Sequence, residues 1–280
     1  MSIRCQNFIL FFLLILLLSG CGKRLGSSRE FEREFEEIQT TFESASSLPE
    51  IERAEMYRRV AIMYQGLIDK GIKSGQIYYN QGNAWYYAGE RGQAIAAYKL
   101  ALRYLPQNPR IIANLRVASG GNVDTDATAS LTAAGITSGV ITAFEYLFFW
   151  QNRIGIYQKF FYSSLLSILL FAVGLVGLFV RNKLRRFLKR LAIFLLVLTF
   201  ISIVSAAYDW YRFECFSYAV ISVENAQPRK GNSEQYDKAF TQPIPLGTNA
   251  VIISERGEWL NLRFGDMQDG WLPKSQVIRY

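Results

Sequence analysis

The sequence predicts a multidomain protein in which an all-α part and an all-β part are separated by two membrane-spanning helices. Three observations support this fold class. Residues 29 to 118 repeat apolar side chains at helical spacing, and residues 216 to 280 contain short strand-like runs between turn signals. Between them lie two uncharged apolar runs, Phe160 to Val180 and Leu191 to Tyr208, of 21 and 18 residues. Because roughly 20 apolar residues cross a bilayer as a helix, both runs qualify as spans, the second marginally.

The ten residues between the two apolar runs predict how the chain lies in a membrane. Six of them are basic and none is acidic: Arg181, Lys183, Arg185, Arg186, Lys189 and Arg190. Short loops rich in Lys and Arg stay on the cytoplasmic side. Residues 181 to 190 are therefore predicted to be the cytoplasmic basic turn of a transmembrane hairpin over residues 160 to 208. Everything before and after the hairpin is predicted to face out.

The net charge of +8 follows from this topology and is not a nucleic-acid signature. Residues 22 to 150 carry 14 basic and 14 acidic groups, and residues 212 to 280 carry 8 of each. Residues 151 to 211 hold 8 basic groups against Asp209 alone. A nucleic-acid-binding protein would instead show a basic face on a folded domain. We therefore expect a membrane, but no nucleic acid, among the partners.

Residues 1 to 20 have the pattern of a signal peptide. A short basic start is followed by an apolar core too short to span, and then by Leu18-Ser19-Gly20-Cys21. This ending resembles the lipobox of bacterial lipoproteins, which implies cleavage before Cys21 and lipidation of its sulfur. The alternatives are an ordinary signal peptide and an uncleaved anchor. Of the three cysteines, only Cys215 would then keep a free thiol, so no intrachain disulfide is expected.

The chain contains no histidine, which is the strongest negative evidence about chemistry. Without it, no Ser-His-Asp triad, Cys-His pair, His-Glu-x-x-His zinc site or His-ligated haem can be assembled. A catalytic site built from carboxylates, Lys or Tyr stays open. The sequence also has no phosphate-binding Gly-rich loop and no Cys-x-x-Cys. We expect a protein that is not an enzyme and that has no cofactor and no catalytic or metal site.

Residues 21 to 118 are predicted to form a helical domain. Helical patterns cover Arg29 to Ser46, Ile51 to Asp69, two segments between Gly75 and Asn108, and Arg110 to Ala118. The unit that begins at Gly75 resembles the tetratricopeptide repeat, a helix-turn-helix of 34 residues. Aromatic, Gly, Ala and Pro residues fall at that family's positions: Tyr78, Gly82, Trp85, Ala94, Tyr98, Ala101 and Pro106. Gln81 stands where the family usually has Leu, which predicts slightly weaker packing toward the preceding helix.

The weaker flanking copies bring the array to about two and a half repeats. Such arrays usually need about three units to bury a continuous core, so we expect support from a partner, the membrane or another copy. The resemblance implies protein binding along the first helices, where Tyr79, Asn83 and Tyr86 would line the surface. The alternative is that these side chains pack against neighbouring helices. If Asn83 lies on a binding surface, Asn83→Ala should leave the melting temperature nearly unchanged.

Residues 119 to 159 are predicted to be a linker and interfacial segment. The stretch from Ser119 to Thr142 is small and polar, without helical or strand period. The stretch from Glu145 to Lys159 is rich in aromatic residues, which is typical of the boundary between membrane and water.

Residues 216 to 280 are predicted to form a small β-barrel. Strand-like runs cover Tyr218 to Val223, Ala250 to Ile253, Trp259 to Phe264 and Val277 to Ile278. Turn signals separate them at Arg229-Lys230-Gly231, Pro245-Leu246-Gly247, Glu255-Arg256-Gly257 and Asp269-Gly270. Together with Gly270-Trp271-Leu272-Pro273, this order resembles the bacterial SH3-like family. The resemblance implies peptide, cell-wall or intramolecular binding. Trp259 and Trp271 are expected in the core more than on a ligand platform.

The combination of lipobox, helical repeat, two spans with a basic turn and SH3-like domain resembles BatE-type proteins of the bacterial Bat aerotolerance group. The resemblance implies partners among von Willebrand factor A-type membrane proteins and a MoxR-type ATPase, in an envelope complex linked to stress or oxygen tolerance. It implies a scaffold in the bacterial inner (cytoplasmic) membrane whose N- and C-terminal domains are periplasmic or otherwise extracytoplasmic.

Two other functions compete with a protein-binding scaffold. In the first, the SH3-like domain makes the protein a cell-envelope module that recognises peptidoglycan. In the second, the protein is a membrane enzyme or channel. The second is disfavoured because neither predicted span contains a charged residue, and charges within the membrane usually mark such functions.

Overall fold

The computed structural model describes residues 28–121, 153–181, 183–265 and 268–280. The predicted signal peptide, Cys21 and most of the predicted linker lie outside these residues. Within them, the chain forms seven α-helices, one short 3-10 helix and five β-strands. A helical domain, a pair of long apolar helices and an antiparallel sheet follow one another along the chain, which is the predicted order.

Five helices make up the helical domain: α1 Ser28–Ala45, α2 Glu50–Asp69, α3 Gly75–Tyr87, α4 Arg91–Tyr104 and α5 Pro109–Ala118. Local chemistry sets where two of them begin. The Ser74 side chain accepts a hydrogen bond from the Ile77 N–H at the start of α3. The Asn108 side chain accepts from the N–H groups of Arg110 and Ile111 at the start of α5. All five helices match the helical patterns of the sequence.

Small residues allow α3 and α4 to approach each other closely. A Cβ atom added to Gly82 would lie 2.6 Å from the Tyr98 ring, so a side chain at this position would force the helices apart. Ala94 and Ala101 are fully buried in the same core. Gln81 is also buried, and its Nε2 donates to Oε1 of Gln65 at 2.9 Å. Gln81 thus links α3 to α2 by a hydrogen bond that the sequence did not predict.

The two apolar helices, α6 Ile156–Phe179 and α7 Lys183–Cys215, pack against each other, and both are long and apolar enough to cross a membrane. Both extend beyond the predicted spans. Most of residues 181 to 190, predicted to be a turn, belongs to the first turns of α7. Lys, Arg and Leu are good helix formers, and no Gly or Pro interrupts this stretch.

The extended ends of α6 and α7 bring two charged residues together. Lys159 and Asp209 are both buried and form an ion pair between the helices. Close by, the hydroxyl groups of Ser163 and Ser202 lie 2.7 Å apart. The absence of charge that argued against a membrane enzyme or channel therefore holds only within the predicted span boundaries. Because each charge offsets the other, removing one partner alone would leave a buried charge uncompensated.

The third part is an antiparallel sheet with the strand order β4-β3-β2-β1-β5. Its strands are β1 Tyr218–Ile221, β2 Asn249–Arg256, β3 Trp259–Arg263, β4 Asp269–Pro273 and β5 Val277–Arg279. Leu260, Leu262 and Leu272 are buried in its core. The expected turn at Asp269-Gly270 is wrong, because these residues begin β4. Gly270 is needed for packing instead, since a Cβ atom there would lie 2.6 Å from Cβ of Pro228.

The two tryptophans of the sheet lie outside its core cluster, contrary to the expectation. Trp259 and Trp271 are half-buried. Strand residues alternate between faces, so burying Leu260 and Leu272 places both tryptophans on the opposite face. There the Arg256 guanidinium lies 5.7 Å from the centre of the Trp271 ring.

The sheet packs directly on α4, and the two share one hydrophobic core. Val220 of β1 and Leu246 belong to the same buried cluster as Ile95 of α4. A Cβ atom on Gly92 would lie 2.7 Å from Cβ of Ser222. Gly247 has a φ of +85°, and a Cβ atom there would lie 3.0 Å from Cβ of Ser119 at the end of α5. The chain's own sheet thus packs on the helical domain, for which the sequence led us to expect support from a partner, the membrane or another copy.

The helical domain, the apolar helices and the sheet meet at one junction. The Arg103 guanidinium of α4 lies 4.8 Å from the ring centre of Phe213 in α7 and 5.1 Å from that of Tyr218 in β1. Tyr104 of α4 stacks near Tyr157 of α6, with ring centres 5.2 Å apart. Such cation–π and ring contacts hold the N-terminal end of α6 and the C-terminal end of α7 against the helical domain.

Candidate functional site

The three residues predicted to bind protein lie together on one face of α3. Tyr79, Asn83 and Tyr86 are spaced four and three apart, which places them on one side of a helix, and all three are half-buried. The sheet contacts α4, the other helix of this hairpin. The α3 face is thus distinct from the surface that the sheet covers.

Asn83 has a structural role that the sequence did not indicate. Its Oδ1 accepts a hydrogen bond from the Tyr98 hydroxyl at 2.8 Å and another from Nδ2 of Asn114 at 2.8 Å. These bonds tie α3 to both α4 and α5. Burial raises the pKa of the Tyr98 phenol, so the hydroxyl stays protonated and remains a donor. Contrary to the expectation from the sequence, Asn83→Ala should therefore lower the melting temperature.

Asn83 still has a group to offer a partner. Its Nδ2 donates no hydrogen bond within the described part of the chain. The Tyr79 hydroxyl accepts weakly from Asn114, at 3.4 Å, and the Tyr79 ring lies 6.1 Å from that of Tyr98. The face thus combines half-exposed aromatic rings with polar groups that are already held in place.

The α3 face continues into a recess at the end of the helix. The recess has a volume of about 490 Å³ and is lined by Ser46, Arg53, Tyr57, Tyr86, Tyr87, Gly89 and Arg91. The Tyr87 ring packs against those of Tyr57 and Phe42 yet is 56% exposed. Aromatic rings with arginine side chains suit a segment that carries both apolar and acidic groups.

The closing helix α5 adds an apolar residue beside the α3 face. Val117 is 61% exposed and lies one helical turn beyond Asn114, which bonds to Asn83. The sequence analysis did not single out Asn114, Val117 or Tyr87. Treating α5 as the first helix of a third repeat would have pointed to Val117, which lies 34 residues after Asn83, but not to Asn114 or Tyr87. We call Tyr79, Asn83, Tyr86, Tyr87, Asn114 and Val117 the α3–α5 face.

The outer face of the sheet is a second candidate. The half-buried Trp259 and Trp271 lie there, and between them on β3 is Asn261, paired with Trp271. Its Oδ1 is buried and has no hydrogen-bond partner among the described residues. Aromatic rings beside a polar acceptor can hold a ring-shaped ligand by stacking and hydrogen bonding.

Charged side chains elsewhere on the sheet are engaged with one another. Lys274 and Arg279 both contact the Glu255 carboxylate, and hydrogen bonds from Lys274 and then Arg279 lower the pKa of that carboxyl. Among the described residues, no group of three or more Cys, Asp or Glu side chains is placed to hold a metal ion. These charged side chains pair with one another on the surface, and we assign them no catalytic or metal-binding role.

No protein-family model matches the chain, and the comparisons with curated proteins and with solved structures give no match.

Proposed function

We propose that this protein is a membrane-anchored scaffold that binds other proteins through its α3–α5 face. One observation carries the proposal. The two helices of the α3–α4 hairpin differ, because the chain's own sheet covers α4 while α3 presents half-exposed aromatic and amide groups. Because the sheet already packs on α4, the face of α3 is left available to a partner.

The anchoring part of the proposal rests on α6 and α7, which are long and apolar enough to cross a membrane. The basic residues between them favour a cytoplasmic connection, with both terminal domains in the periplasm of a bacterial inner membrane. The lipobox-like Cys21 would add a lipid on the same side. A cysteine at exposed Gln235 should then react with an impermeant thiol reagent in cells with a permeabilised outer envelope, whereas one at Asn182 should not.

The partner classes come from the resemblance to BatE-type proteins. Von Willebrand factor A-type membrane proteins and a MoxR-type ATPase are the first partners to look for, in an envelope complex concerned with stress or oxygen tolerance. Arg53 of the recess favours a partner segment that carries acidic residues, whereas Arg91 already pairs with Glu224.

A crosslinking pull-down from native membranes tests the proposal. Val117→Glu places a charge on the α3–α5 face, whereas Ile62→Glu does so on α2, where Ile62 is similarly exposed at 58%. A desolvated interface site is worth about 2 kcal/mol or more, so Val117→Glu should weaken partner binding roughly 30-fold. Ile62→Glu should recover the wild-type set of partners. If both variants retain every partner, binding lies elsewhere.

The alternative function is recognition of peptidoglycan by the sheet. The position of the half-buried Trp259 and Trp271 outside the sheet core favours it, because the accessible part of an indole ring can stack on sugars. Since β1 shares its core with α4, the full chain in detergent is the proper sample for sedimentation with purified cell wall. Co-sedimentation that Trp271→Ala abolishes and Val117→Glu leaves intact would establish this alternative.

A further inference from the structure

The beginning of α7 carries a concentration of positive charge that the protein-binding proposal does not use. Five of its first eight residues are basic, and Arg181 just precedes the helix. Every one of these side chains is exposed: Arg181, Lys183, Arg185, Arg186, Lys189 and Arg190. We call these six residues the cationic segment.

Nothing in the described part of the chain neutralises the cationic segment. None of the ion pairs between described residues includes any of the six, and the first turn of α7 has no acidic residue. Within the segment, Arg185 and Lys189 are four residues apart, and so are Arg186 and Arg190. The like charges of each pair therefore repel each other on the helix. The start of a helix is also the positive end of its dipole, where cations are disfavoured. The described residues therefore leave the segment open to anions that they do not supply themselves.

The geometry of α7 indicates where those anions lie. The side of α7 that faces α6 is marked by Leu195, Thr199, Ser202, Ala206 and Asp209, spaced 4, 3, 4 and 3 apart. Leu188 continues this stripe seven residues earlier and is less exposed than its neighbours. Lys183, Arg186 and Arg190 lie on the opposite side, away from α6. In the membrane-spanning arrangement proposed above, these cations would lie at the depth of the lipid headgroups, because the same helix runs on into the apolar span.

We propose that the cationic segment is a binding site for the headgroups of anionic phospholipids. Arginine donors form two parallel hydrogen bonds to a phosphate, and each basic residue near an anionic membrane surface contributes about 1 kcal/mol, or about fivefold in affinity. The negative net charge of phosphatidylglycerol suits the segment, whereas the choline cation of phosphatidylcholine opposes it. The inference rests on the anchoring part of the proposed function and not on the α3–α5 face.

Native mass spectrometry of the full chain, stripped of lipid in detergent, tests this site. Titration should show phosphatidylglycerol binding at least tenfold more tightly than phosphatidylcholine. The variant Arg185→Gln/Arg186→Gln/Lys189→Gln/Arg190→Gln should reduce this preference to within about twofold. A variant with the same loss of charge in the helical domain, Arg29→Gln/Arg33→Gln/Arg59→Gln/Arg116→Gln, should keep it. The charge-conserving set Arg185→Lys/Arg186→Lys/Arg190→Lys should also keep most of it.

Other results would overturn the site. Equal affinity for the two lipids, or an equal loss of lipid preference in the control variant, would contradict the site. The segment would then serve only to orient the hairpin in the membrane. Displacement of phosphatidylglycerol by millimolar inorganic phosphate would indicate a free-phosphate site. Capture of an acidic protein without any lipid preference would assign the segment to a protein partner. If the quadruple variant loses its helical circular dichroism, Lys189→Gln alone should still lower the affinity about fivefold. Partner capture through Val117 is measured separately, so either proposal can fail without the other.

Discussion

The two helices of the α3–α4 hairpin differ in what covers their outer faces. On α4, Gly92 lies so close to the sheet that a side chain would not fit there. Ile95 of the same helix is buried in a core shared with Val220 and Leu246. On α3, Tyr79, Asn83 and Tyr86 are half-buried and carry aromatic or amide groups. Glycine and aliphatic residues thus mark the side of the hairpin that the sheet covers, whereas aromatic and amide residues mark the side that it leaves uncovered.

Substitution at Gly92 should have the largest effect, because it attacks the closed face. A methyl group there would lie 2.7 Å from Cβ of Ser222 and 2.9 Å from Cδ1 of Ile278. We expect Gly92→Ala to destabilise the protein by about 1 to 3 kcal/mol, measured by thermal unfolding in detergent. Gly66→Ala is the matched control, since Gly66 lies in α2 with no atom within 4 Å of the added methyl group. It should stabilise by about 0.5 to 1 kcal/mol, and a loss at Gly66 equal to that at Gly92 would contradict the close packing.

Removing the Asn83 side chain should have the next largest effect. Asn83→Ala leaves the buried Tyr98 hydroxyl without its acceptor, which costs about 1 to 3 kcal/mol. Tyr98→Phe, which removes the donor and leaves Asn83 bonded to Asn114, should cost only about 1 kcal/mol. Equal unfolding midpoints for Asn83→Ala and the wild type would show that the three-residue network has no role in the fold.

The ion pair across the closed face should matter less. Arg91 donates to Glu224 at 3.0 Å, and these side chains are 40% and 68% exposed. Exposed pairs of this kind contribute about 0 to 1 kcal/mol and weaken as salt is added. Glu224→Gln should therefore lower the unfolding temperature only slightly in low salt and not at all in high salt. A large effect that persists in high salt would mean that the sheet is held to α4 mainly by charge and not by close packing.

Substitution at Val117 should have the smallest effect on stability. Its side chain is largely exposed, so Val117→Glu is expected to change the free energy of unfolding by less than about 0.5 kcal/mol. Circular dichroism and thermal unfolding against the wild type would check this. A marked loss of stability would show that Val117 is part of the fold and remove it from the proposed binding face.

Much of the fold could be predicted from the sequence, because its elements follow from local patterns. The helical patterns predicted α1 to α5, and the strand-like runs between turn signals predicted β1, β2, β3 and β5. The failures arose where tertiary contacts decide. Gly270 appeared to mark a turn, but its lack of a side chain serves packing against Pro228. The packing of the sheet on α4 joins segments separated in sequence by both long apolar helices, and no local pattern predicts so distant a contact.

The candidate site was predictable in position and not in role. Helical spacing placed Tyr79, Asn83 and Tyr86 on one face, and the structure confirms that placement. The bonds that Tyr98 and Asn114 make to Asn83 depend on how three helices pack, so Asn83 could not be recognised as structural. Whether these residues bind a partner stays a prediction.

Photo-crosslinking in native membranes tests the central claim most directly. A benzophenone amino acid is placed at Val117 on the α3–α5 face and, in a second sample, at Ile62 on α2, which matches it in exposure. If the α3–α5 face binds a partner, Val117 should form a crosslinked adduct with another envelope protein and Ile62 should form none. Adducts at Ile62 with none at Val117, in proteins that anchor and fold normally, would contradict it.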